Sequence, residues 1–538
     1  MNRKIWKALG IAVCMLALAA PRAMAETHKV RTDTEFKDAV DKINKSGDTE
    51  NEIVLDEDIT LEGDIAEYTL NCGETTIKSK DKDHKITISM AGITVTGKGT
   101  VLNLGADGYD QKLTIERNTG FAAITVSGGA IANMYEHVTL QDLDRQSTVN
   151  ACVKLEGNSV FNMHGGVIQN CKSQYSGGLY ADKSTVTISG GTISGCEGNL
   201  GGGLYAKNSS TIEISGGEIS RCTAGTGGGL YADRSTITIS GGIISGCDVS
   251  TGAGGGLYAD NSTLTIKGGT ISECSAGTGG GLYAINQSTL NISGGTIENN
   301  RAAYGGGVAL IGSTINPITH WTVDGNKADN TGGGIYLENV LMDVSDGSNH
   351  IYNNTADGQG ADIFLLGSST IRLPNAANMG AKYHDSGINI DNWYNDNPRY
   401  TPSENGQVVK ANKWLNGGLS LVASYKASPV RIEIDANGGV GGSSSQTVQK
   451  GTTVTLEAPT KEGHLFKGWK DEKGNSYPAG EDGKVKITVT GDMTLTAEWK
   501  KLPSAENLPK TGDESPVLLW GAALAVSAAA CFMLRRRK

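Results

Sequence analysis

Acidic side chains have the widest chemical reach in this chain, and the densest group lies between residues 107 and 144. Asp107, Asp110, Glu116, Glu136, Asp142 and Asp144 would act together only where the fold stacks the segments that carry them. Paired, two carboxyls would suit acid–base cleavage of a glycosidic bond; clustered, they would hold a divalent cation. Farther along, Asp182, Asp233 and Asp260 share one turn position of a repeat, but Lys207 and Ile285 interrupt the series. That interruption argues against a calcium column and for solvated turn residues. The eight histidines are scattered, with no His-Glu-x-x-His helix and no Gly-x-Ser-x-Gly elbow. The sequence therefore assigns no catalytic residue, no metal ligand and no cofactor.

The elements that would position such residues follow a period. Gly201-Gly202-Gly203-Leu204-Tyr205-Ala206 returns at 227–232, 254–259 and 279–284, with worn copies at 177–181, 305–309 and 332–336. Each copy is followed by an alternating run such as Ser184-Thr185-Val186-Thr187-Ile188-Ser189. Every period holds three strand-like runs between Gly, Asn and Ser turns, all too short for helices. Such a unit cannot bury its own apolar face and must stack on its neighbours. The predicted fold is mainly β: a parallel β-helix with one coil per repeat, three strands per coil, and coils about 4.8 Å apart. The 75 glycines suit a turn-rich architecture, and a net charge of −10 argues against nucleic acid as a partner.

Stacking puts like residues above one another. Leu179, Leu204, Leu230, Leu257, Leu282, Val308 and Ile335 would form an interior aliphatic column. Cys171, Cys196, Cys222, Cys247 and Cys274 recur every 25 to 27 residues, and Asn300, Asn326 and Asn354 then take their place. These are expected to face inward at a turn, cysteine as a small buried hydrophobe and asparagine bonding its amide to the next coil. Neighbouring thiols in such a column are poorly aimed for a disulfide. Alternation turns Tyr180, Tyr205, Tyr231, Tyr258 and Tyr283 outward, with Tyr336 resuming after Ala309. This exposed column either stabilises adjacent coils or offers a flat aromatic strip for stacking sugar rings or docking a protein. The glycine triplets beside it either open a groove or serve a tight bend.

Asn326-Lys327-Ala328 followed by Gly332-Gly333-Gly334-Ile335-Tyr336 resembles the repeats of right-handed β-helix surface proteins. These include the chlamydial polymorphic membrane proteins and pectin-lyase-like adhesins. The resemblance covers about 160–360 well and reaches weakly back to about 50. It implies a right-handed solenoid used for adhesion or ligand binding, of glycan ahead of protein. Polysaccharide lyases and glycoside hydrolases share the fold, so an enzyme remains one alternative and a structural surface spacer another. Residues 51–370 are assigned to the solenoid, with 26–50 as a capping helix region. There Thr32 and Glu35 form a capping box, and Phe36, Ala39, Val40 and Ile43 line one helical face. Residues 371–428, with Trp393, Tyr394 and Trp414, are read as the solenoid's C-terminal cap and exit.

A second module spans 429–500. Its Ile432–Gly439 opening, its Gly463-His464-Leu465-Phe466-Lys467-Gly468-Trp469 centre and its Thr494–Trp499 close resemble the Listeria–Bacteroides repeat. That family of small β-grasp-like modules serves as a stalk in wall-anchored proteins, which implies core roles for Trp469 and Trp499. Residues 501–507 read as a linker.

Both ends read as processing signals. Arg3, Lys4 and Lys7, an apolar stretch to Ala20 and Ala23-Met24-Ala25 form a signal peptide over 1–25. At the other end, Leu508-Pro509-Lys510-Thr511-Gly512 precedes an apolar run, 517–534, and Arg535-Arg536-Arg537-Lys538. About 18 apolar residues just cross a hydrocarbon core, and four terminal cations resist passage through it. Residues 508–538 resemble the LPXTG sorting signal of Gram-positive surface proteins. The resemblance implies sortase as a partner, cleavage between Thr511 and Gly512, and covalent attachment of Thr511 to peptidoglycan. The expected protein is secreted and then fixed to the cell wall.

Overall fold

The computed structural model describes residues 26–502 apart from 47–48, 119, 143–149, 346–347, 374–387, 396–413, 417–419, 428, 450–452, 481 and 490. The segments read as a signal peptide (1–25), as a sorting signal with Thr511 and the 517–534 run, and most of the expected linker lie outside the described residues. No helix among the described residues is long and apolar enough to cross a membrane. The chain divides into two compact units, one reaching Lys426 and one starting at Ala427.

The first unit is a right-handed parallel β-helix. Its chain runs through three faces in turn, and each face is a ladder of parallel strands in register. Face 1 carries 12 strands from Glu26–Val30 to Thr314–Ile315, and face 2 carries 12 from Ile59–Leu61 to His350–Tyr352. Face 3 starts at Thr69–Leu70 and reaches Ile363–Leu366, where Ser420–Ala427 adds on antiparallel. Thr370–Arg372 likewise meets Trp414–Asn416 antiparallel, so reversed strands follow the last parallel rungs. The first strand precedes the helix rather than following it, since Glu26–Val30 pairs with residues 51–55.

The helix, α1 (Asp33–Ser46), covers the open end of the core. Phe36, Ala39, Val40 and Ile43 are at most 2% exposed. Thr32 Oγ1 accepts the Glu35 N–H, and the Glu35 carboxylate accepts from Arg31 N, one residue earlier than a standard capping box. The Leu179-to-Ile335 column lies in register through every rung and is fully buried. Each such leucine contributes about 2 kcal/mol through burial.

One expectation needs correction: the coil has more than three strands in its middle. A fourth, short strand lies between faces 2 and 3, at Glu197–Leu200, Thr223–Thr226, Ser275–Thr278, Arg301–Tyr304, Lys327–Thr331 and Thr355–Ala356. These runs pair only as rungs of their own small sheets. Sequences such as Thr223-Ala224-Gly225-Thr226 carry no apolar alternation, so the pattern gave no sign of them.

The turn column behaves as expected, and the reason cysteine and asparagine exchange is chemical. Cys171, Cys196, Cys222, Cys247 and Cys274 are free and at most 1% exposed. Cys196 Sγ donates to Ser194 O and lies 3.9 Å from Ile168 O on the coil before. Asn326 repeats that geometry more tightly. Its Nδ2 donates to Asp324 O at 3.1 Å and to Ile297 O at 2.9 Å, and its Oδ1 accepts from Asn300 N at 2.9 Å. A thiol thus offers a weak version of the donor and acceptor that a primary amide offers in full.

Amides also link coil to coil, and three such rows end with their donor on a carboxyl group. Asn300, Asn326 and Asn354 pass Nδ2–H to Oδ1 in turn and end on buried Asp362. On face 1, Asn162 donates to Asn133, Asn133 to Asn103, and Asn103 to Glu74. On face 2, Gln169 donates to Gln141 and Gln141 to Glu116. A row of aligned amide dipoles is best terminated by an oxygen that only accepts.

The second unit is a small β module. A five-stranded sheet includes Pro429–Asp435, His464–Asp471 and Met493–Lys501, and Thr453–Glu457 pairs with Lys484–Thr488. Trp469 is fully buried in its core, with Ile432, Leu456, Leu495 and Ala497.

Asn326→Ala should lower stability by about 3 kcal/mol, because two carbonyls and the Asn300 N–H lose their partners in a dry interior. Asn326→Cys should cost less than half of that. Equilibrium urea unfolding of both variants checks this, and equal losses would show that thiol and amide do not share the role.

Candidate binding surface

Face 3 places the predicted tyrosines in strict register. Tyr180, Tyr205, Tyr231, Tyr258 and Tyr283 occupy successive rungs, followed by Ala309, Tyr336 and Phe364. Ring centroids are 5.6, 5.2, 4.7 and 5.0 Å apart along the first five. The column is not the exposed flat strip that alternation suggested. Tyr205, Tyr283 and Tyr336 are only 7–8% exposed, and Tyr180, Tyr231 and Tyr258 are half-buried. Side chains on adjacent strands stand closer than two aromatic rings are wide, so each ring leans on the next, edge to face at Tyr180–Tyr205 and Tyr205–Tyr231 and stacked at Tyr231–Tyr258. Edges and hydroxyls remain for a ligand.

The glycine triplets serve a bend rather than a groove. A Cβ on Gly227 (φ 65°) would lie 2.8 Å from Leu230 O and 2.9 Å from Tyr231 Cβ. A Cβ on Gly229 would lie 2.6 Å from Gly256 O and 3.3 Å from Cys247 Sγ. The first position needs a left-handed backbone and the third abuts the next coil.

Beside the tyrosines runs a charged column, Glu156, Asp182, Lys207, Asp233 and Asp260, which ends face-3 strands rather than sitting in turns. Lys207 Nζ is 3.4 Å from Asp182 and 5.1 Å from the Tyr180 ring centre. Asp233 pairs with Arg234 at 2.9 Å, and Asp260 accepts from Asn286 at 2.8 Å. Each acid thus has its own local partner.

The acids between 107 and 144 are dispersed as well. Asp107, Asp110 and Glu136 are exposed, and Asp144 lies outside the described residues. Glu116 accepts from Gln141 and lies 3.2 Å from Lys85 Nζ. Asp142 is buried against Arg117, whose Nη2 donates to Oδ2 at 2.9 Å. Burial opposes the Arg117 charge, but the Asp142 hydrogen bonds outweigh it and raise its pKa. Among the described residues, no group of three or more His, Cys, Asp or Glu side chains is placed to hold a metal ion.

Arg117 is the residue sequence reading missed. Its Nη1 donates to Asn150 O at 2.6 Å, Ala151 O at 3.0 Å and Phe121 O at 3.3 Å. These carbonyls belong to the corner between faces 2 and 3, which lengthens there from four and six residues to ten, then nine. The longer corner later carries the fourth strand. Beside these carbonyls lies a ledge with a cleft of about 120 Å³ lined by Asn150, Ala151, Lys154, Glu156, Tyr175 and Tyr180. The signal was the change in spacing between runs, visible only once strand ends are known. In the second unit, Trp499 is partly buried and borders a shallow cleft of about 430 Å³ with Lys467, Lys470 and Glu498.

Burial pushes the phenols of Tyr205, Tyr258 and Tyr336 up to about 12 and raises those of Tyr231 and Tyr283. A folded-state pKa above the unfolded value of about 10 gives stability that is complete below pH 10. It is lost as pH rises from 10 through 12, because the unfolded chain releases its protons first. Thermal melts should therefore fall across pH 10–12, and absorbance near 295 nm should show a late-titrating phenol class. A single transition near 10 for all 17 tyrosines would contradict the packed column.

Residues 133–320 match the family model of a right handed beta helix region, and residues 428–503 match that of a divergent InlB B-repeat domain. No curated protein and no solved structure matches the chain.

Proposed function

We propose that this chain is a binding protein of the Gram-positive cell surface, in which the β-helix recognises an extracellular glycan or a host or matrix protein. The observation that carries the reading is the tyrosine column on face 3, with hydroxyl-bearing edges outward beside a column of paired charges. Such a strip presents donors, acceptors and aromatic edges at fixed spacing on a rigid ladder, which suits recognition of an extended ligand. The two matched family descriptions, a β-helix and an InlB-type repeat, are in keeping with a surface-binding protein.

The β-helix fold carries enzymes and non-enzymes alike, so activity must be argued from the site. Each described acid is engaged by its own partner or stands apart, which favours binding over hydrolysis. For anchoring, the reading rests on Leu508-Pro509-Lys510-Thr511-Gly512 with its apolar run and basic tail. Sortase would join Thr511 to peptidoglycan, after secretion directed by residues 1–25.

The full chain, probed on arrays of glycans and matrix proteins with product analysis of every positive glycan, should bind without cleaving. Turnover of a bound polymer would replace this reading with a carbohydrate-active enzyme. In a sortase-bearing host, Thr511→Ala should move the protein from the wall fraction to the membrane and medium. Retention of the variant in the wall would refute the anchoring.

A further inference from the structure

The ledge at the start of the tyrosine column differs from the rest of the strip. From Tyr205 to Tyr283 every ring has an aromatic neighbour on both sides or ends on an alanine rung, and each is buried or half-buried by its neighbours. At Tyr180 the column stops, because the rung below is Lys154. Tyr175 stands beside it from the lengthened corner, 6.3 Å away at 47°, and is 46% exposed. Lys207 Nζ lies 5.1 Å over the Tyr180 ring, so the open aromatic surface next to the recess is that of Tyr175.

The chemistry of the recess narrows what enters it. Lys154 Nζ and Glu156 Oε1 are 2.9 Å apart, so the cleft offers a donor and an acceptor together with no net charge. A singly charged ligand is drawn to one partner and repelled by the other, so this partly exposed pair gives it little net attraction. A neutral ligand with adjacent hydroxyls engages both at once. The tyrosines suit a ring with an apolar C–H face. At about 120 Å³ the recess is well below a drug-sized pocket, and holds a single small ring. The floor is prearranged, because Arg117, 1% exposed, fixes the Asn150 and Ala151 carbonyls from beneath.

We infer that the ledge formed by Tyr175, Tyr180, Lys154 and Glu156 binds one neutral sugar unit at the end of a glycan. This rests on the glycan arm of the function proposed above and locates it at the head of the column. The rest of the strip then meets the remainder of the ligand by edges and hydroxyls.

The test is saturation-transfer difference NMR of the full chain with the methyl β-glycosides of glucose, galactose and N-acetylglucosamine. Glucuronate and glucosamine serve as charged counterparts. At least one neutral glycoside should bind. Tyr175→Ala and Lys154→Met should each weaken it at least tenfold, while Ile243→Thr, exposed on face 2, leaves it unchanged; thermal melts confirm that each variant is folded. Equal or tighter binding of the charged sugars would overturn the neutral class. Array binding that survives Tyr175→Ala and Lys154→Met would overturn the ledge and leave the broader function standing. If no saccharide binds the wild-type chain in solution or on arrays, both the ledge and the glycan arm fail.

Discussion

Parallel strands stacked in register at about 4.8 Å are the constraint on which everything else in the solenoid depends. Stacking sets each side chain on its counterpart one coil away, so a residue that suits itself as a neighbour is amplified along the axis. Leucine repeated inward gives a dry column, and tyrosine repeated outward gives a pile of rings. Charge repeated gives repulsion, and where acids stack on face 3, at Glu156–Asp182 and Asp233–Asp260, neighbouring partners offset it. Lys207 sits between Asp182 and Asp233, and Arg234 and Asn286 reach back to the adjacent acids.

The same constraint governs polar groups in the interior. A buried amide in one coil needs partners above and below, and another amide supplies both. The row must end somewhere: the buried row ends on Asp362, and the part-buried rows on the outer sides of faces 1 and 2 end likewise on Glu74 and Glu116. Where cysteine replaces asparagine, the contacts survive in weaker form. The upstream coils therefore lean more on apolar burial and the downstream coils more on hydrogen bonds. The 25-to-27-residue cysteine spacing is then a packing feature, with every described thiol free.

Departures from repetition are where function has room. At the corner holding Asn150 and Ala151 a buried arginine satisfies the carbonyls, and the aromatic column ends one strand on, where Lys154 replaces tyrosine. A perfectly regular solenoid would present only a uniform strip. The irregular coil supplies a recess with its own shape and paired charges.

From sequence alone, the period, the inward aliphatic column, the cysteine–asparagine exchange and the capping helix with Phe36, Ala39, Val40 and Ile43 were legible. Each depends on local alternation or on self-stacking, which a repeat writes out directly. The fourth strand was not legible, because its short polar runs take their conformation from the coil beside them. Nor was the burial of the tyrosines: alternation gives the side of the sheet on which a ring lies, but its exposure depends on the rings above and below. Arg117 looked like any cation in a strand. Only the tertiary structure brings Phe121, Asn150, Ala151 and Asp142 around it, since those groups lie 4 to 34 residues away and meet through the winding of the coil.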